Sequence, residues 1–170
     1  MRFLLAFFTA VLCAVFGLRK AKALTARTKL LGFLADDING LINSMEYSRA
    51  PVLKLISSLT PCRAESFWRM LEENISEHEE LHDAYKKTMA QLKSEKTGFE
   101  KLHEDDLVVL DEFFSLLGKG SMENERRNAR GIPSRLETLE KDARQAQEKG
   151  GKLYSSLGIL SGLAFAIIIL

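Results

Sequence analysis

Residues 153–170 read LYSSLGILSGLAFAIIIL, a run of 18 residues without a charged side chain. A helix rises about 1.5 Å per residue, so this run would be about 27 Å long, close to the hydrocarbon thickness of about 30 Å of a bilayer. Its length and apolar character predict a membrane-spanning helix.

Residues 3–18 form a second apolar run, in which Thr9 is the only polar residue. These residues would make a helix of about 24 Å, which can span a bilayer if Arg2 and Arg19 reach towards its two surfaces. A cleaved signal peptide is the alternative, because Ala21-Lys22-Ala23 imitates a cleavage site. The basic residues 19, 20 and 22 stand where such a site is uncharged, which favours a retained anchor.

Basic residues gather beside both apolar runs, on the side that faces the middle of the sequence. They are Arg19, Lys20, Lys22, Arg27 and Lys29 after the first run, and Lys141, Arg144, Lys149 and Lys152 before the second. By the positive-inside rule, both flanks place the middle of the chain in the cytoplasm. We therefore predict an N-terminal transmembrane anchor over 1–22, a cytoplasmic helical domain over 23–152 and a C-terminal transmembrane helix over 153–170.

The middle of the chain is slightly acidic. All 23 Asp and Glu residues fall within 23–152, together with 20 of the 24 Lys and Arg residues, which gives this part a net charge of −3. The absence of a basic stripe argues against binding of nucleic acid. The two cysteines do not make a disulfide framework.

The middle also shows helical spacing and no convincing strand pattern, which predicts an all-α bundle. Pro51 should end a first helix near Tyr47–Ala50 and begin a short helix that Pro61 terminates. The pair Phe67-Trp68 is more typical of a core than of an exposed patch. A polar run follows over 72–96, with a turn at Thr97-Gly98. The most apolar helix, 102–117, carries a stripe of Leu107, Leu110, Phe113, Phe114 and Leu117, and Gly118 should stop it.

The last helix carries apolar residues with a spacing of 4, 3, 4, 3. They are Ile132, Leu136, Leu139, Ala143 and Ala146, and the same spacing resumes at Leu153, Leu157, Leu160, Ala164 and Ile167. This pattern predicts one seam that continues into the membrane, and two unrelated helices that match by chance are the alternative. Gly131-Ile132-Pro133 should kink or break the upstream part.

Small residues four apart mark one face of each apolar run: Ala6, Ala10 and Ala14 in the first, and Gly158, Gly162 and Ala166 in the second. Such stripes allow helices to approach closely in a membrane, so we predict packing surfaces there. The alternative is that Gly and Ala are simply frequent in spanning helices.

The sequence HEELH at 78–82 matches a zinc-protease motif, in which His78 and His82 would bind the metal and Glu79 would act as the base. A membrane-anchored zinc peptidase is therefore the alternative function. Acidic residues surround the motif, as on a solvated helix, and we also expect Asp105 and Asp106 to be solvated. No set of residues looks catalytic, so we predict a protein that is not an enzyme, with no cofactor, no resident metal and no small-molecule substrate.

The chain resembles the stage III sporulation protein AB family. The residues KLYSSLGILSGL at 152–163 are similar to the family's K-L-Y-x-S-L-G-x-L-x-G-L ending. The segment Leu110–Gly118 is similar to L-x-x-F-G-x-x-L-G, and Tyr47 with Pro51 fits a Y-x-x-x-P pair. Phe114 stands where the family tends to have Gly, and Ser44 where it tends to have Glu.

The chain also departs from the family after Leu117-Gly118. The family has D-x-x-x-Q in this segment, and this chain has Ser121 and Glu125. We therefore mark Leu117, Gly118, Ser121 and Glu125 as a candidate partner-contact segment.

The resemblance implies a specific role. Members of this family belong to a complex in the mother-cell membrane around the forespore, which forms part of a secretion-like channel and is needed for endospore formation. The middle domain would be similar to platform proteins of type II secretion and type IV pilus machines. The partners implied are the other subunits of the complex, including its secretion-type ATPase, and the lipid bilayer.

Overall fold

The computed structural model describes residues 2–48, 50–59, 62–75 and 80–169. Within the helices it leaves out the side chains of 2–10, 13–14, 152, 154–155, 158–159, 162–163 and 165–169. The described residues are helical with no strand, which confirms the all-α prediction.

The helices are α1 (Arg2–Tyr47), α2 (Val52–Ser57), α3 (Glu65–Ile75), α4 (Leu81–Ser94), α5 (Glu104–Leu116), α6 (Met122–Ala129) and α7 (Ile132–Ile169), with a 3₁₀ turn at Phe99–Lys101. The predicted end of the first helix near Tyr47 is confirmed, and so is the short helix after Pro51. α7 begins at Gly131-Ile132-Pro133, which confirms the predicted break. Proline is tolerated in a first helical turn, where its missing N–H has no helical partner.

The chain divides into two compact units. One unit combines residues 1–28 with 141–170, and the other is Lys29–Glu140. The predicted bounds of the anchor at 1–22, the helical domain at 23–152 and the C-terminal helix at 153–170 stay a prediction.

Within the part of the chain that the structure describes, none of the helices combines the length and the apolar character of a membrane span. The two predicted spans cover 3–18 and 153–170, and most side chains of both runs lie outside the described residues.

An aromatic cluster forms the centre of the Lys29–Glu140 unit. Tyr85 stacks on Phe114 with ring centroids 4.6 Å apart, and Phe67 stacks on Phe99 at 5.6 Å. Phe67 also meets Trp68 edge to face, and both are buried, which confirms that this pair belongs to the core. α1 covers the core with fully buried aliphatic residues, among them Leu31, Leu34, Ile38 and Leu41.

The predicted seam on α7 is buried only in its first part. Ile132, Leu136 and Ala143 are buried, whereas Ala146 is exposed. The later positions Leu153, Leu157 and Leu160 are each more than half exposed. The stripe is thus not one continuous packed surface, although α7 itself passes Gly150 and Gly151 as one helix.

Candidate partner-binding surface

The zinc motif does not lie on one uninterrupted helix. α4 begins only at Leu81, and Glu80 before it has an extended backbone, with φ −109° and ψ 129°. His82 lies in the first turn of α4, and its Nε2 is 2.9 Å from Oδ1 of Asp111 on α5. His78 and Glu79 lie outside the described residues. The side chains that the structure describes include no group of three His, Cys, Asp or Glu residues placed to hold a metal ion.

The candidate contact segment contains two buried and two exposed residues. Leu117 is part of the core, and Glu125 is buried with its Oε1 accepting a hydrogen bond from the Gly120 N–H at 2.9 Å. Gly118 and Ser121 are exposed. Gly118 has φ +78°, a conformation that turns the chain after α5 and that favours glycine. Leu117 and Glu125 therefore shape this turn, and only Gly118 and Ser121 are free to contact a partner.

The two predicted small-residue stripes are helical in their backbone, within α1 and α7. The side-chain environment of Ala6, Ala10, Ala14, Gly158, Gly162 and Ala166 lies outside the described residues. Close packing at these stripes stays a prediction.

Asp37 is a buried carboxylate that the sequence analysis did not single out. Its two oxygens accept hydrogen bonds from the Arg63 N–H at 2.8 and 3.0 Å, and Oδ2 also accepts from the Ala64 N–H and from Trp68 Nε1, both at 2.8 Å. The first turn of a helix leaves its N–H groups without helical partners. Because Ala64 before α3 has no side-chain oxygen, the carboxylate of α1 supplies the acceptors instead.

The expectation that Asp106 is solvated is wrong. Asp106 is fully buried, and its Oδ2 accepts a hydrogen bond from the His103 N–H at 2.8 Å. A carboxylate in the first helical turn that binds back to the residue before the helix is a capping arrangement. Asp105, its neighbour, is exposed as predicted.

A groove between α4 and α5 is open to a partner. It has a volume of about 750 Å³. It is lined by Tyr85, Lys86, Met89, Ala90 and Lys93 from α4, and by Leu107, Val108, Asp111, Glu112 and Ser115 from α5. Val108 is 59% exposed, which is unusual for a valine in the middle of a core helix. We call this feature the α4/α5 groove.

The groove is polar along its two edges. On the α5 edge, Asp111 pairs with His82, and Glu112 pairs with Arg135 of α7. Burial raises the pKa of the Tyr85 phenol far above its ordinary value of 10, and the negative charge of Asp111 raises it further. The Tyr85 phenol that lines the groove therefore stays neutral to a higher pH than an ordinary phenol.

A second, smaller cavity of about 370 Å³ lies on the other side of α5. Val108 and Val109 line it together with Arg135, Thr138 and Leu139 of α7. Val108 thus borders both cavities, and the outer face of α5 forms a ridge between them. The sequence analysis missed this ridge because its core stripe on α5 includes neither Val108 nor Val109.

Fold and surface together define a helical protein of two units, in which two long helices carry the apolar ends and the second unit presents an open groove. The chain belongs to the stage III sporulation protein AB family, whose sequence profile matches residues 2–170. It is therefore a sporulation protein. No curated protein and no solved structure matches the chain significantly.

Proposed function

We propose that this chain is a non-enzymatic platform subunit of the sporulation channel complex that links mother cell and forespore. Its two apolar ends anchor it in the mother-cell membrane around the forespore, and its polar unit, Lys29–Glu140, binds other subunits in the cytoplasm, among them the complex's secretion-type ATPase. The observation that carries this proposal is the family match, because it covers the chain from residue 2 to residue 170.

The arrangement of the long helices supports the proposal. The apolar run 3–18 belongs to α1, residues 153–169 of the second run belong to α7, and both segments fall in the same compact unit. The basic residues Arg19, Lys20 and Lys149 beside these runs are exposed, as residues near a membrane surface would be. Two adjacent helices with cationic inner flanks suit a membrane hairpin.

The continuity of α7 suggests how a platform would work. The helix passes from the Lys29–Glu140 unit into the other unit at Lys141 and continues through Gly150 and Gly151. A movement of partners on the polar unit could then be passed along α7 towards the membrane.

The proposal is tested by interrupting α7 in sporulating cells. A six-residue Gly/Ser insertion between Gly150 and Gly151 should abolish heat-resistant spores and late forespore gene expression, and deletion of the whole protein should do the same. The same insertion after Lys96, in the exposed turn that follows α4, is the matched control and should leave spore yield near normal. Immunoblots of the membrane fraction establish that both variants accumulate. Normal spore yield with the Gly150 insertion would contradict transmission along α7, and normal yield without the protein would contradict the platform role.

A further inference from the structure

The α4/α5 groove presents the same residue spacing from both of its helices. Positions 85, 86, 89, 90 and 93 line it from α4, and positions 107, 108, 111, 112 and 115 line it from α5. In each set the later residues follow the first at distances of one, four, five and eight positions. This spacing places all five on one face of their helix, over slightly more than two turns. The floor between these faces is apolar, with Met89, Ala90 and Val108 in contact with the opening. The groove therefore has the length and the lining that a third helix of two to three turns requires.

The charged side chains of the two groove helices differ in their partners. On α5 both carboxylates already have one, since Asp111 Oδ1 lies 2.9 Å from Nε2 of His82 and Glu112 pairs with Arg135. On α4, Lys86 and Lys93 are exposed, and neither forms an ion pair with a residue that the structure describes. The two lysines are seven positions apart, which places their Cα atoms about 10.5 Å apart along one side of the helix.

We propose that the α4/α5 groove binds an amphipathic helix of another protein subunit. The apolar face of that helix packs on Met89, Ala90 and Val108, and two of its carboxylates, two turns apart, pair with Lys86 and Lys93. The acidic side of the incoming helix faces α4. A basic residue opposite α5 would have to compete with His82 for Asp111 or with Arg135 for Glu112. This inference rests on the proposed platform function and names the kind of partner that the polar unit takes.

The test uses the full-length protein in sporulating cells, with a photo-crosslinking amino acid at Ala90 or at Ser115 on the two sides of the groove. The same amino acid at Ser57, an exposed residue of α2 away from the groove, is the control. Mass spectrometry of the crosslinked peptides identifies the segment that lies in the groove. We expect crosslinks from both groove positions to one segment of another protein, with apolar residues at helical spacing and two acidic residues seven apart.

Charge reversal separates docking from general damage. Lys86→Glu with Lys93→Glu should lower the yield of that crosslink roughly tenfold, because two attractive pairs become repulsive. Lys54→Glu on α2 reverses an exposed lysine outside the groove and should leave the yield unchanged. Replacing the two acidic residues of the crosslinked segment by lysine should restore the crosslink in the Lys86→Glu, Lys93→Glu protein.

Several outcomes would overturn the inference. Crosslinks to a second copy of this chain or to lipid would assign the groove to a different occupant, and a segment without paired carboxylates would remove its charge argument. A crosslink whose yield is unchanged in the Lys86→Glu, Lys93→Glu protein would also remove the charge argument. If any of these occurs while the protein is still needed for spores, the docking inference alone fails. If the protein proves dispensable for sporulation, the platform proposal fails as well.

Discussion

The carboxylate of Asp37 should be the polar group on which the Lys29–Glu140 unit depends most. It is 4% exposed and accepts hydrogen bonds from three N–H donors, those of Arg63, Ala64 and the Trp68 indole. In Asp37→Asn one oxygen is replaced by an NH₂ group, so the Arg63 N–H, which donates to both oxygens, faces another donor on one side, and in the opposite amide orientation the Ala64 N–H and the Trp68 indole lose their acceptor. A buried donor without a partner costs about 1–3 kcal/mol, and the lost negative charge weakens the remaining bonds.

We expect Asp37→Asn to lower the free energy of unfolding by about 2–3 kcal/mol. For a chain of this size, about 1 kcal/mol corresponds to a change of about 2–4 °C in the midpoint of thermal unfolding, so the midpoint should fall by about 4–12 °C. Asp36→Asn is the matched control, since it removes the same charge one residue away. The Asp36 side chain is 57% exposed and only pairs with Arg63 at the surface, so this change should cost less than about 1 kcal/mol.

The assay follows unfolding of the full-length protein in detergent micelles. Trp68 is the single tryptophan of the chain, so its fluorescence reports on this site alone, and circular dichroism at 222 nm reports on the helices. Trp68→Phe, measured by circular dichroism with and without the Asp37→Asn change, completes a double-mutant cycle that isolates the indole bond. If Asp37→Asn and Asp36→Asn have equal midpoints, the carboxylate does not hold the start of α3 and the reasoning is refuted.

Three further predictions concern stability. Gly118→Ala should lower the free energy of unfolding by about 1 kcal/mol, because Gly118 has φ +78°. Gly120→Ala places a Cβ atom where no neighbour lies within 4 Å, so it should lower the free energy of unfolding much less in the same denaturation assay. Equal losses for the two alanines would exclude a backbone cause. Glu125→Gln should lower the free energy of unfolding by about 1 kcal/mol or more, because it weakens the hydrogen bond from the Gly120 N–H. Glu123→Gln, at an exposed position, is the control. An unchanged unfolding midpoint in Glu125→Gln would show that the buried carboxylate is dispensable. Because the folded state raises the pKa of Tyr85, folding favours the neutral phenol, so the free energy of unfolding should fall as the pH rises above 10. Tyr85→Phe should flatten that fall, and an unchanged alkaline slope would contradict the burial of the phenol.

The sequence predicts the helices well where proline and glycine mark their ends. Pro51 and Gly118 each fix a helix end through their own backbone preferences, which do not depend on the rest of the fold. The burial of Phe67 and Trp68 could also be predicted, because a pair of large aromatic residues rarely stays exposed in a small unit.

The polar contacts could not be predicted in the same way. Asp37 binds donors that lie 26 to 31 residues further along the chain, and no local pattern encodes that distance. The one available signal was indirect, because Arg63-Ala64 before α3 offers no capping side chain and some other acceptor had to be near. For Asp106 the signal is local but ambiguous, since an acid in the first turn after an extended residue is a capping candidate as well as a solvated one.

The groove depends on tertiary packing. The spacing of Lys86, Ala90 and Lys93 is visible in the sequence, but it becomes one side of a groove only when α4 lies beside α5. Likewise, the periodicity that predicts one seam along α7 does not reveal that Ile132, Leu136 and Ala143 are buried, whereas Ala146, Leu153, Leu157 and Leu160 are exposed.

The side of the membrane on which the polar unit lies is the most direct test of the platform account. A single thiol can be placed at the exposed Ser94 by Ser94→Cys, in a chain that also carries Cys13→Ser and Cys62→Ser. Cells that produce this protein are treated with a membrane-impermeant maleimide, as intact protoplasts and after permeabilisation. The account predicts that the thiol introduced by Ser94→Cys reacts only after permeabilisation, and reaction in intact protoplasts would contradict it.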